Sequence, residues 1–122
     1  MPVRDDVSRP DRFLGLLGLC RRAGRVVCGA PLIFQAMRSH KPPALVLVAA
    51  DASEGSAKKL RTKCEFYRVP LLLTEYTKEA LAHAVGKDGP MAAVAVLDAG
   101  IAGELLKSSG KDVSDPIGNE NT

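Results

Sequence analysis

Three arginines precede a glycine and a proline that can open a helix, and this grouping has the chemistry of a phosphate site. The segment contains Arg21, Arg22 and Arg25, followed by Gly29, Ala30 and Pro31. A helix N-terminus carries about half a positive charge and presents free N–H groups. A proline in the first turn removes one of these donors without removing a helical hydrogen bond. The residues alone leave two interpretations open, a nucleic-acid contact and a purely structural turn.

A second group of positive charges lies on a later predicted helix and consists of Lys58, Lys59, Arg61 and Lys63. A run of this kind usually forms a solvated helix face, and we favour that interpretation here. The chain has no Trp and only 4% aromatic residues, so we do not expect a large base-stacking platform.

The charge balance is basic only in the middle of the chain. The 17 Lys and Arg against 14 Asp and Glu give a formal net charge of +3, which by itself says little about nucleic acid. Residues 12–106 hold 13 basic and 8 acidic side chains, a net charge of +5, whereas each flank holds 2 against 3. The predicted folded region is therefore more basic than the whole chain.

Motifs of common enzyme classes are missing from the sequence. There is no GxxxxGK[ST] phosphate loop, no dinucleotide fingerprint after a strand and no GxSxG elbow. Ser53, His83 and Asp51 can be written as a triad, but their spacing gives no support, and a solvated or core-edge histidine is the better interpretation. We therefore expect no catalytic residue, no cofactor and no small-molecule substrate.

The cysteines and the apolar runs indicate a cytoplasmic protein. Cys20, Cys28 and Cys64 match neither a disulfide framework nor a zinc spacing, and we expect them to be small buried hydrophobes without a bound metal. No apolar run reaches the roughly 18 residues that span a bilayer, and the polar N-terminus lacks the apolar region of a signal peptide.

The hydrophobic periodicity predicts one layered α/β domain over residues 11–107. Residues 1–10 are expected to be a flexible segment and residues 108–122 a disordered tail, because the tail is polar and rich in turn formers. The predicted helices cover residues 10–23, 29–39, a segment after Ser53 or Ser56 that reaches residue 67, residues 77–85 and residues 101–107. The predicted strands cover residues 25–28, 44–50, 71–74 and 91–97, and their spacing leaves a parallel and a mixed sheet equally open.

Four segments occur in an order and spacing that is specific in combination: LGLLGLCRRAGRVVCG (14–29), ALVLVAADAS (44–53), KCEFYRVPLL (63–72) and ALAHAVGK (80–87). With them the chain resembles the kink-turn-binding ribosomal proteins of the L7Ae type, most closely their small bacterial YlxQ-like branch. The resemblance covers residues 11–107. It implies a three-layer α/β/α sandwich around a mixed four-stranded sheet and a non-catalytic, RNA-binding role.

The resemblance also implies two RNA-binding elements, the basic loop with the first turn of the second helix (residues 25–35) and the loop before the last strand (residues 85–91). The family places an Asn-Glu pair and a later Lys where this chain has Pro31, Leu32 and Gln35. Leu32 cannot accept a hydrogen bond, and loss of a bidentate base contact costs about 1–3 kcal/mol of discrimination. The candidate RNA-binding residues are Arg21, Arg22, Arg25, Gly29, Ala30, Pro31, Leu32, Gln35, Val85, Gly86, Lys87 and Met91.

Three functions are compatible with these observations. The leading hypothesis is a module that binds structured ribosomal or messenger RNA, with the ribosome as a candidate partner and no membrane contact. The alternative is a ribosome-assembly or protein-interaction module with weak, non-specific RNA contact. The third is the substrate-binding part of an RNA methyltransferase, which we disfavour because no room remains for a cofactor domain.

Overall fold

The computed structural model describes residues 3–109, with side chains described from residue 12 onward. The helices are α1 (Val3–Arg22), α2 (Ala30–Met37), α3 (Glu54–Tyr67), α4 (Lys78–Ala84) and α5 (Ala99–Ser109). The strands are β1 (Val26–Cys28), β2 (Leu45–Val48), β3 (Leu71–Leu73) and β4 (Ala93–Val96). All nine elements overlap segments that the periodicity predicts as the same type.

The four strands form one sheet in the order β1-β4-β2-β3. The strands β2 and β3 are parallel, with α3 as the crossover connection that a parallel pair needs, and β4 is antiparallel to both β1 and β2. The sheet is therefore mixed, and β1 and β3 are its two edges. The fold class that the family resemblance implied is confirmed in this respect.

Helices cover both faces of the sheet, which makes three layers. On one face, alternate strand residues such as Leu45, Leu47 and Val94 pack with the apolar sides of α1, α4 and α5. On the other face, Val46, Ala95 and their neighbours pack with α2 and α3. The strands β2 and β4 are buried along their whole length, because both of their faces are covered.

Two helices begin at hydroxyl side chains that accept a hydrogen bond from the first turn. The Ser53 hydroxyl accepts from the N–H of Ser56 at 3.1 Å, and the Thr77 hydroxyl accepts from the N–H of Ala80 at 3.1 Å. Each hydroxyl satisfies a donor that has no partner inside the helix. Of the two candidate caps for α3, Ser53 is the one used.

The ends of the chain differ from the sequence prediction. The helix α1 begins at Val3 rather than at residue 10, so Pro10 lies inside the helix, where it removes one backbone hydrogen bond. The flexibility predicted for residues 1–10 concerns motion and stays a prediction.

The last helix extends beyond its predicted range at both ends. It begins at Ala99 because a carboxylate oxygen of Asp98 accepts from the N–H of Ile101 at 2.9 Å. It ends at Ser109, whose hydroxyl donates to the carbonyl of Leu106 at 2.9 Å. The first two residues of the predicted tail are thus helical, and the rest of that tail lies outside the described residues. Over residues 3–109, no helix has both the length and the apolarity needed to cross a membrane.

Candidate nucleic-acid interface

An open cleft of about 570 Å³ lies at the β1 edge of the sheet. The strand β1 contributes all three of its residues to the lining. One wall comes from the end of α1 and the segment after α4, and the other wall comes from α2. The remaining lining residues are Arg21, Val85 and Lys87 on the first wall and Leu32, Gln35, Ala36 and Ser39 on the second.

The backbone of β1 presents hydrogen-bonding groups to this cleft. The carbonyl of Arg25 accepts from the N–H of Leu97 at 2.8 Å, and the N–H of Gly29 donates to the carbonyl of Ala93 at 3.3 Å. Because backbone groups alternate in direction along a strand, those of Val26 and Cys28 point away from β4. The free edge of β1 therefore offers both donors and acceptors to a ligand.

Arg21 and Lys87 form a positive corner at one end of the cleft. The Arg21 guanidinium lies over Gly86, so closely that a Cβ at that glycine would be 2.7 Å from the guanidinium carbon. Gly86 has φ +69°, a conformation that favours glycine, and it turns the chain so that Lys87 follows directly. Burial raises the pKa of the Cys28 thiol, and the charges of Lys87 and Arg21 oppose that rise in pKa. Both cations therefore act on the same point at the floor of the cleft.

The first turn of α2 adds free backbone donors. Gly29 has φ 90° and ψ 142° and no side chain to cap the helix. The first helical hydrogen bond runs from the N–H of Ile33 to the carbonyl of Gly29 at 3.0 Å. Pro31 has no N–H, so Ala30 and Leu32 keep the two donors for which the described residues provide no partner. These N–H groups and the helix dipole favour an anion at this point.

The α2 wall of the cleft is largely neutral. Leu32 is 54% exposed and presents an apolar side chain, while Gln35 presents an exposed amide. Ala36 and Ser39 continue this wall at helical spacing from Leu32. Sequence reasoning named Leu32 and Gln35 but missed the other two, although the same spacing of four and seven residues could have found them.

Some predicted residues lie away from the cleft. Arg22 and Arg25 are exposed but do not line it, and the charge of Arg25 acts on Cys20 instead. Met91 is half-buried, packs against the core and donates its N–H to the carbonyl of Lys78 at 3.1 Å. Of the three arginines considered together, the structure brings only Arg21 to Lys87.

The residues of the conceivable catalytic triad have structural roles. A carboxylate oxygen of Asp51 accepts from the N–H of Lys78 at 2.8 Å, and Ser53 caps α3. No hydrogen bond in residues 12–109 joins either side chain to His83, which is exposed. The same part of the chain contains no group of three His, Cys, Asp or Glu side chains placed to hold a metal ion.

Comparison with known sequences identifies relatives of this chain. The sequence model of the ribosomal protein L7Ae/L30e/S12e/Gadd45 family matches residues 11–106. The RNA-binding protein YlxQ of Bacillus subtilis (strain 168) is 40% identical over 91 residues, which cover 75% of this chain and 88% of that protein. The RNA-binding protein YlxQ of Enterococcus faecium is 33% identical over 91 residues, covering 75% of this chain and 84% of that protein.

Solved structures share the fold. A protein of unknown function from Bacillus halodurans C superposes with a TM-score of 0.73 at 29% identity, covering 81% of this chain and 97% of that one. The Giardia lamblia 15.5kD RNA binding protein superposes with a TM-score of 0.65 at 20% identity, covering 84% of this chain and 86% of that one, and this likeness shows the fold alone. Together they confirm the predicted α/β/α sandwich.

The family match spans both walls of the cleft, from the end of α1 through α2 to the segment after α4. It confirms the resemblance drawn from the four sequence segments, including its YlxQ-like branch. The match to this family supports the prediction of a non-catalytic protein, since both relatives are named as RNA-binding proteins. By sequence and by fold, this chain belongs to the ribosomal protein L7Ae/L30e/S12e/Gadd45 family.

Proposed function

We propose that this protein binds structured RNA through the cleft at the β1 edge and acts in the cytoplasm on ribosomal or messenger RNA. The observation that carries the proposal is that Arg21 and Lys87 line the same cleft as Leu32, whose N–H in the first turn of α2 has no partner among the described residues. Two YlxQ relatives are named as RNA-binding proteins, which supports the same role here.

The cleft offers groups that suit binding of the RNA sugar–phosphate backbone. Arg21 and Lys87 offer charge to phosphate oxygens from one wall of the cleft, and Leu32 on the other wall offers a neutral N–H donor. Contacts of this kind position an RNA without reading its sequence. Since exposed phosphates attract cations in any RNA, specificity must come from the shape of the RNA or from the α2 wall.

The α2 wall favours recognition of shape over recognition of bases. The family reads the G·A pairs of a kink-turn with an Asn-Glu pair and a later Lys, and these positions are Pro31, Leu32 and Gln35 here. Leu32 offers only apolar contact, and Gln35 keeps one amide. We therefore propose a sharply bent, kink-turn-like RNA that is held by its backbone with reduced base discrimination.

A gel-shift titration tests this proposal with a kink-turn RNA and a control RNA whose G·A pairs are mutated, each at two salt concentrations. We expect tighter binding to the kink-turn and weaker binding of both RNAs at higher salt. Equal affinity for the two RNAs would overturn the kink-turn part of the proposal. No binding to either RNA or to total ribosomal RNA would overturn RNA binding itself.

A single substitution tests the role of the α2 wall. Leu32→Glu restores an acceptor at the position where the family has one, and we expect it to increase the preference for the kink-turn over the control RNA by roughly tenfold, as one base contact is worth about 1–3 kcal/mol. Ser39→Glu is the matched control, because it adds the same charge two turns further along the same wall. If both variants change the preference equally, the effect is one of charge and not of base recognition.

A second candidate function is a protein-interaction role in ribosome assembly with weak RNA contact. The exposed Leu32 beside the free edge of β1 favours it, because an apolar side chain next to unpaired backbone groups suits an extended peptide. Capture of ribosomal proteins that survives nuclease treatment and is lost in Leu32→Ala would support this role. Loss of all captured proteins on nuclease treatment would favour the RNA-binding function.

A further inference from the structure

A second surface lies between α2 and α3 and is separate from the cleft. The two flanks of α2 point in different directions: Leu32, Gln35 and Ala36 line the cleft, while Phe34 faces α3. The ammonium of Lys63 on α3 lies 5.7 Å from the centre of the Phe34 ring, within the range of a cation–π contact. A cation and an aromatic ring thus meet where the two helices adjoin.

The flank of α3 toward α2 continues this pattern. Lys59, Lys63 and Phe66 follow one another at intervals of four and three residues, which places them on one side of the helix. The two acidic residues of α3, Glu54 and Glu65, fall on its opposite flank by the same spacing. The α2–α3 groove, defined here by Phe34, Lys59, Lys63 and Phe66, therefore receives no carboxylate from α3.

The Phe66 ring is exposed to a degree that packing does not explain. Its side chain is 76% exposed, the largest exposure among the large hydrophobic residues described. The ring stands edge-on to Tyr67, with centroids 4.8 Å apart and planes at 84°, and Tyr67 packs against the core. One face of the Phe66 ring is therefore exposed to solvent while Tyr67 packs against the ring, which is the arrangement that base stacking requires.

Within residues 12–109, the cations on the facing flanks of α2 and α3 have no acidic partner at ion-pair distance. Arg38, the C-cap residue of α2, stands one turn after Phe34 and adds to the charge of Lys59 and Lys63. Within residues 12–109 the two ion pairs found both use Glu104 on α5, and none involves these three cations. Unpaired positive charge on the same helix flank as an exposed ring suits a polyanion with flat bases better than an acidic protein surface.

The groove leads away from the proposed RNA site. The last residue of β1 pairs with Val94 and the last residue of β2 pairs with Ala93, so α2 and α3 both begin at the same end of the sheet. From there the two helices run in the same general direction, since each returns across the same face of the sheet. Lys59 and Phe66 are seven residues apart, which is about 10 Å along α3.

We propose that a single-stranded RNA segment, continuing from the structured RNA at the α2 N-terminus, runs along the α2–α3 groove. One of its bases stacks on Phe66, and its phosphates contact Lys59 and Lys63. The proposal rests on the proposed function for the anchoring of the RNA, and it adds a second contact with a different chemistry. It also replaces our sequence-based interpretation of Lys59 and Lys63 as part of a merely solvated face.

The experiment compares one kink-turn hairpin in three forms: blunt, with six unpaired nucleotides at its 5′ end and with six at its 3′ end. We expect one of the extensions to increase the affinity of the unmodified protein about fivefold or more, as one base–aromatic stack permits. Phe66→Ala abolishes this gain and Phe66→Tyr keeps it, while the affinity for the blunt hairpin stays the same. Because Phe66 is exposed, neither substitution is expected to unfold the chain.

A matched pair of variants separates the groove from general charge. Lys59→Gln with Lys63→Gln removes two cations from the groove, whereas Lys58→Gln with Arg61→Gln removes two from the same helix outside it. We expect the first pair alone to abolish the gain from the extension. The groove proposal is overturned if both pairs lose the gain in affinity equally, or if the unmodified protein binds all three hairpins with equal affinity. In either case, binding of the blunt hairpin would still support the proposed function.

A second measurement covers the case in which the hairpin does not bind. A free single-stranded oligonucleotide containing 4-thiouridine is crosslinked to the protein, and the protein is digested with trypsin. Crosslinks in the tryptic peptide of residues 64–68 that disappear in Phe66→Ala support the groove even if the proposed function fails. Crosslinks that do not depend on Phe66, or none at all, overturn it.

Discussion

Cys28 lies at the floor of the cleft, where two cations and burial act on one thiol. Burial raises its pKa, and Lys87 and Arg21 limit that rise. Its side chain is half-buried, whereas Cys20 and Cys64 are 0% and 1% exposed. Cys28 is therefore the one cysteine that a reagent entering the cleft can reach.

Alkylation of Cys28 should report RNA in the cleft. At pH 8 we expect iodoacetamide to modify Cys28 before the other two cysteines, and saturating RNA to slow that reaction several-fold. Because the thiolate is the reacting form, Lys87→Gln should also slow it at a given pH, since loss of the cation raises the pKa further. An alkylation rate that is the same with and without bound RNA would place the RNA outside the cleft.

Cys64 predicts how stability depends on pH. Burial raises its pKa to about 12, compared with roughly 8.5 for an exposed thiol in the unfolded chain. Between these values the unfolded state has lost the proton that the folded state keeps. The free energy of unfolding therefore falls as the pH rises, by up to about 1.4 kcal/mol per pH unit from this group.

Denaturant titrations from pH 8 to 11 test the sign and size of this term. Cys64→Ala should be less stable at pH 7, because it removes a buried sulfur from the core, yet lose less stability as the pH rises. The curves of the two proteins should converge at alkaline pH. Parallel curves would mean that Cys64 does not contribute to the alkaline loss of stability.

At the scale of elements, the start of α3 depends on one hydroxyl. Ser53→Ala removes the acceptor for the N–H of Ser56 and should lower the free energy of unfolding by about 1 kcal/mol. Ser56→Ala is the matched control, because Ser56 contributes only its backbone N–H to the cap. Chemical denaturation of both variants tests this, and an equal loss in the two would contradict the assignment of Ser53 as the cap.

Element types were predictable because each is encoded by local spacing. The continuous apolar run of residues 44–50 contains β2, and apolar residues at intervals of three and four gave the inward side of α3. The two end helices were less accurate in their bounds. The start of α5 depends on a hydrogen bond to Asp98, and α1 continues through Pro10 to an earlier start. The spacing of apolar residues reveals neither feature.

At the scale of the whole molecule, the positions of the charges predict the salt dependence of RNA binding better than the net charge of +3 does. If Arg21 and Lys87 each contact a phosphate, the affinity for RNA should fall with salt, with a log–log slope of about 0.7 to 0.9 per contact. The double variant Arg21→Gln with Lys87→Gln should lower that slope by about two contacts. Lys107→Gln on α5 removes a charge that does not line the cleft and should leave the slope unchanged.

Filter-binding titrations from low to high salt measure these slopes. If Lys107→Gln changes the slope as much as one cleft substitution does, RNA is attracted by total charge. If the double variant keeps the slope of the unmodified protein, the phosphates of the RNA contact other cations. Arg22 and Arg25 are then the first residues to substitute.

The sequence by itself determined the α/β class, the buried strands, the three unpaired cysteines and the basic character of residues 12–106, because each follows from composition or from contacts between near neighbours. Its motifs also determined the family. Only the tertiary structure decided that Arg21 and Lys87 line one cleft while Arg22 and Arg25 do not, and that β1 is an edge strand. It also decided that the Lys63 ammonium of α3 lies 5.7 Å from the centre of the Phe34 ring of α2. Those outcomes depend on strand order and helix direction, which bring together residues far apart in the chain.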